Sequence, residues 1–85
     1  MITKDDAIKI AKAIAVAARH DISEYTSPFG IQAAQVPAIR GAAFRAIDEI
    51  WYEVLPMSTR EKFGNYNVNF ADIFEAELNA KNVPA

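Results

Sequence analysis

The chain has no cysteine among its 85 residues, only three glycines and a single histidine. Without cysteine there are no disulfides, no thiolate nucleophiles and no Cys-containing zinc or iron–sulfur sites. Gly30, Gly41 and Gly64 match none of the spacings that cradle phosphates. His20 has no second histidine at helical spacing and no group placed to fix its tautomer, so neither metal ligation nor a nucleophilic triad is expected. Neither sign of charge dominates. Nine Lys and Arg stand against eleven Asp and Glu, and the excess comes from Asp72, Glu75 and Glu77 against Lys81. A nucleic-acid binder would be clearly basic and a mimic of DNA far more acidic. No stretch approaches the ~20 apolar residues that a bilayer-spanning helix needs. A secretory leader is not expected either, because Asp5, Asp6, Lys9 and Lys12 interrupt the start where one would lie. These absences lead to an expectation of a cytoplasmic chain with no cofactor, no metal and no membrane partner.

What is present is helical periodicity. Residues 7–18 hold ten apolar side chains and only Lys9 and Lys12 as polar ones. Ala7, Ile10, Ala11, Ile14, Ala17 and Ala18 share a face, Ile8 and Ala15 lie off it, and Val16 falls almost opposite. A helix apolar nearly all round is normally buried, and 85 residues offer little protein to bury it. Thr3 and Asp6 have capping-box spacing for its start, Asp5 and Lys9 are an i,i+4 pair, and Arg19 and His20 mark its expected end. A second helix is expected from Pro37 to about Val54, with Ile39, Ala43, Ala46, Ile47, Ile50 and Val54 on its main face. Phe44, Trp51 and Leu55 form a second stripe, and Arg45–Glu49 pair on the polar side. Ser58 and Glu61 read as a capping box opening a short turn that Gly64 ends. Asn65, Asn67 and Asn69 alternate with Tyr66, Val68 and Phe70 in an expected extended loop, and Asn69 caps a last helix to about Ala80 with Asp72 in its first turn.

The expected fold is all-α: one domain, 1–85, built as a small bundle of three main helices with one or two short helical segments. Residues 20–36 connect the first two helices, with a short helix from Pro28 to Gln35, and 81–85 form a frayed tail. The expected core is Ile10, Ile14, Phe44, Ile47, Ile50, Trp51, Ile73, Phe74 and Leu78.

No residue set indicates catalysis. Asp48–Tyr52 and Asp72–Glu75 are helical neighbours on polar faces, where carboxylates are usually solvated. The expected function is therefore a non-catalytic protein-binding module, of the kind by which phages and mobile elements occlude a host enzyme or a defence nuclease. Two surfaces are candidates for the partner. Lys9, Lys12, Val16 and Arg19 line the outer side of the first helix, which also suggests a homodimer through its small residues. Asn65, Tyr66 and Asn67 combine a rigid aromatic with adaptable amides, as binding loops do, unless Tyr66 and Phe70 pack inward. A minor alternative is a nucleic-acid adaptor using Lys9, Lys12 and Arg19. The segment Leu55-Pro56-Met57-Ser58-Thr59-Arg60-Glu61-Lys62 resembles the helix–turn of the hairpin domain in phage cyclic-nucleotide sponge proteins over those eight residues, although Gly64 departs from the long helix that follows there. That resemblance implies a second alternative, a small-ligand or cyclic-nucleotide sponge assembled at an oligomer interface.

Overall fold

Helix formation begins at a reciprocal cap. The Thr3 amide donates to Asp6 Oδ2 and the Asp6 amide to Thr3 Oγ1, both at 3.1 Å. The Ala7 amide closes the first turn on the Thr3 carbonyl at 2.9 Å. Two orphan donors of the first turn are thus satisfied by side chains. The bond from the Thr3 amide favours the charged carboxylate and is the largest cause holding the Asp6 pKa below its ordinary value of 3.8, with the Thr3 hydroxyl adding to it.

The computed structural model describes residues 1–25 and 35–80. α1 (Lys4–Tyr25) is followed by α2 (Gln35–Glu49), a π-helical turn (Ile50–Val54), α3 (Met57–Glu61) and α4 (Asn67–Leu78). The all-α class holds, and no strand occurs among the described residues. Three long helices make the bundle and α3 is the short segment. α1 runs past Arg19 to Tyr25, so residues 20–25 are helix and not connection, and His20 is an exposed position within it. The expected helix from Pro28 lies outside the described residues except for Gln35, which opens α2; the tail 81–85 lies outside them entirely. Pro37 stands in the first turn of α2, where a missing N–H costs nothing.

Contacts fix the directions. Lys4 Nζ sits 5.2 Å from the Phe63 ring centroid, just before α4, whereas Arg19 reaches Glu77 and Ala80 at its far end. α1 and α4 therefore run parallel. Arg40, early in α2, reaches Asn79, and Trp51 at the other end meets Phe70, so α2 runs antiparallel to both.

The core departs from expectation in one systematic way. α1 buries Ala7, Ala11, Ala15 and Ala18, while Ala17 is exposed and Ile10 lies only half-buried and outside the core. The helix is rotated so that its smallest side chains face inward. α4 supplies the reason: Phe70, Phe74 and Leu78, spaced four residues apart, are buried and fill the space that alanines leave. Isoleucines in that seam would hold α4 away and forfeit the burial of two phenylalanines, each worth roughly 1.5–3 kcal/mol. Ile14, Phe44, Ile50 and Ile73 pack at the edge of the core, and Ile47, Trp51, Phe74 and Leu78 lie inside it. Leu55 and Phe63 join them, beyond the expected set. The expected ion pairs Asp5–Lys9 and Arg45–Glu49 do not form; Arg19–Glu77, at 3.8 Å, is the ion pair among the described residues.

Two outcomes follow. Ala11→Leu should destabilise the chain by about 1–3 kcal/mol in urea denaturation through overpacking, while Ala13→Leu, on the exposed side, should stay within about 0.5 kcal/mol of the parent. The depressed pKa of Asp6 makes its contribution complete above pH 3.8 and lost as pH falls through the folded-state value. Asp6→Asn should therefore lower the thermal midpoint at pH 6 and narrow its gap from the parent at pH 2.

Candidate functional site

Pro56 shapes the region where α2 ends. It forces Leu55 out of the helical region, to φ −75° and ψ 127°. The Leu55 amide then reaches back five residues to the Ile50 carbonyl at 2.9 Å, the hydrogen bond of a π turn. Rows spaced by four drift around a 3.6-residue helix, and this wider turn brings Leu55 back beneath Ala43, Ile47 and Trp51. Trp51 thus faces inward and its neighbour Tyr52 outward, 58% exposed.

α3 starts at Met57 because Pro56 occupies the N-cap. Ser58 falls inside the helix, so the expected Ser58–Glu61 box does not form, and the Ser58 hydroxyl faces Met1 Sδ at 3.8 Å. Thr59 is buried and donates its hydroxyl to the Ile2 carbonyl, tying the start of α1 onto α3.

The chain then reverses. The Gly64 amide donates to Glu61 and the Asn65 amide to Arg60, at 2.9 and 3.1 Å, in the two-bond pattern of a Schellman stop. Gly64 at φ 76° and Asn65 at φ 62° are both left-handed. This reversal is tighter than the expected extended loop, so α4 begins at Asn67 with Tyr66 as N-cap. Asn69 is accordingly not the cap: its side-chain amide donates to the Phe63 carbonyl at 2.6 Å and closes the turn from the other side. Asp72 lies beyond the first turn of α4 for the same reason. Phe63, Phe70 and Trp51 form a mutual aromatic triangle below, with centroids 5.5–5.8 Å apart.

Beside Trp51 of this triangle a hollow of about 310 Å³ opens, lined by Trp51, Tyr52, Met57, Arg60, Asn65, Tyr66 and Asn67. The Asn67 amide donates to the Tyr52 hydroxyl at 3.2 Å across its mouth. Met57 and Tyr66 are 63% and 66% exposed, whereas Phe70 is fully buried, so the two aromatics of the 64–70 segment face opposite ways. Comparison with protein-family models, with curated proteins and with solved structures finds no match. The local geometry is therefore the basis for any functional assignment.

The two expected surfaces are separate. Asn65, Tyr66 and Asn67 come together with Trp51, Tyr52, Met57 and Arg60, four residues that were not expected at a site. Lys9 and Lys12 are exposed on α1, and Val16 beside them is half-buried. Arg19 is held at the end of α4, where its Nη1 lies 3.8 Å from Glu77 and 3.5 Å from the Ala80 carbonyl. Arg40 adds a second guanidinium there, 3.4 Å from Asn79 Oδ1. Both cations complement the negative end of the α4 dipole. The alanine row that suggested a homodimer is taken up within the chain, and Ile8 packs against the core. No helix of the described residues is long and apolar enough to cross a membrane, and no group of three potential metal ligands occurs among them.

The cleft's missed members carry a weak sequence signal. Tyr52 and Asn67 are fifteen residues apart and meet only because the chain reverses at Gly64. Gly64→Ala, forced to hold φ 76°, should cost about 1 kcal/mol and raise amide exchange at Asn65–Asn67. Gly41→Ala is the control: its new Cβ meets Arg45 Nη1 at an ordinary 3.6 Å within α2, so a gain of about 0.5–1 kcal/mol is expected by chemical denaturation.

Proposed function

We propose that this chain is a non-catalytic protein-binding module whose contact surface is the cleft formed by the π turn, α3 and the start of α4. The carrying observation is the exposure of Tyr52, Met57 and Tyr66 around one hollow, over a buried Trp51 and beside Arg60. Aromatic residues, Met and Arg are the types enriched at interfaces, and Trp, Tyr and Arg dominate their hot spots. Tyr66 with Asn65 and Asn67 adds the pairing of rigid aromatic and adaptable amide found in binding loops. None of the exposed Tyr52, Met57 and Tyr66 side chains belongs to the core, which Trp51, Phe63 and Phe70 already complete beneath them. The module acts by occupying and covering a site on a larger protein, as an inhibitor of the phage or mobile-element type would.

Affinity capture from a cell lysate, run in parallel with the native chain and the doubly substituted Tyr52→Ala/Tyr66→Ala chain, tests this. Both side chains are exposed, so the variant should keep its helical circular dichroism, and loss of the Asn67–Tyr52 hydrogen bond should lower its thermal midpoint only slightly. A partner retained by the native chain should bind the variant at least about tenfold more weakly when both are purified, as the loss of two hot-spot aromatics implies. Retention that the double substitution leaves unchanged, or no retained protein, overturns the proposal.

A further inference from the structure

The cleft contains one cation, Arg60, and no acid, in a chain whose net charge is −2. Arg60 is half-buried, and its Nε is enclosed without an acceptor. Its guanidinium makes no ion pair among the described residues, although Glu61 is the next residue in the chain. By contrast Arg19, which also has an enclosed Nε, has a carboxylate and a carbonyl beside its Nη1. The Tyr52 hydroxyl accepts from Asn67, which leaves its own proton to be donated into the cleft. Donors thus outnumber acceptors on this wall, and the apolar surfaces of Met57 and Tyr66 stand beside them.

We infer that the occupant of the cleft is a protein segment carrying an Asp or Glu carboxylate next to an apolar side chain. This rests on the protein-binding function proposed above and specifies the chemistry of the partner. The carboxylate is forked by the Arg60 guanidinium, the planar pairing for which arginine is suited, and takes a second bond from the Tyr52 hydroxyl. The neighbouring apolar side chain lies on Tyr66 and Met57. A phosphate dianion would call for further positive charge, and no lysine lines the cleft.

Nitrogen-15 spectra of the full chain test this with two probes, acetyl-Gly-Leu-Glu-Phe-Gly-amide and the same peptide with Gln for Glu. The Glu peptide should shift the Arg60 Nε–H, the Trp51 indole and the Asn65 and Asn67 side-chain amides in a saturable way. The Gln peptide should bind about tenfold more weakly, and Arg60→Gln should erase that preference while Arg60→Lys keeps part of it. Should Arg60→Gln fail to fold, Tyr52→Phe removes the second donor from an exposed position and should weaken the Glu peptide several-fold. Equal binding of the two peptides at the cleft overturns the carboxylate preference and leaves the protein-binding function standing. Absence of shifts with either peptide, or shifts confined to other surfaces, also overturns the inference, and the capture experiment then decides the broader function separately. Adenosine monophosphate shifting the same signals while the Glu peptide does not would overturn both and assign the cleft to nucleotides.

Discussion

The close approach of α1 and α4 is the constraint on which the rest of the molecule depends. Four alanines along α1 leave a shallow groove, and Phe70, Phe74 and Leu78 of α4 fill it. Small against large at facing positions lets two helix backbones come near without voids, which interiors packed at crystal density require. Among the described residues α1 and α4 make the most extensive helix–helix contact, so it sets where α2 must lie to cover what remains exposed. Ala43, Ile47 and Trp51 do so from the opposite direction, and Phe44 closes edge-on against Phe74 with centroids 4.9 Å apart.

Once the seam is set, the ends of the bundle become chemically distinct. At one end Arg19 and Arg40 meet the C-terminus of α4, where guanidinium groups offset the carbonyl dipole. At the other, the chain must pass from α2 to α4 in few residues while burying Leu55, Phe63 and Phe70. Proline, the π turn and the two left-handed residues at 64 and 65 accomplish that passage. The cleft is a by-product of the same geometry. Because every fourth residue of this crossing, Trp51, Leu55, Thr59 and Phe63, points inward, Tyr52, Met57 and Tyr66 are turned outward, and Asn69 pins the turn that follows. Candidate function and fold stability thus share residues 50–70, and the exposed members can vary without touching the buried ones.

Much of the fold was legible in residue order, because the signals concerned are local. Cap spacing at Thr3 and Asp6, Pro56 and the glycine stop at 64 act within a turn or two of chain and hold in the structure, whereas α2 starts at Gln35, two residues before the expected boundary at Pro37. Helical periodicity identified three long helices for the same reason. Two local signals gave way to stronger local ones. Ser58 lost its cap role because α3 starts two residues early, with Pro56 as its N-cap, and Asn69 lost its own because the Gly64–Asn65 reversal admits helix from Asn67.

Residue order by itself determined that this chain is helical, that helix stops at Pro56 and Gly64, and that cysteine chemistry is excluded, since each follows from side-chain type and short-range backbone preference. Only tertiary packing decided which side of α1 faces inward. That helix is apolar almost all round, so its own periodicity is nearly indifferent to rotation, and the phenylalanines of α4 select the alanine face over Ile10 and Ala17. Packing likewise decided the make-up of the cleft. Asn65, Tyr66 and Asn67 stand together in the sequence, but Tyr52 and Arg60 join them only through a hydrogen bond spanning fifteen residues and a reversal of the chain between two helices. Pairings at that separation depend on the free energy of burial over the whole core, and no short window of sequence contains it.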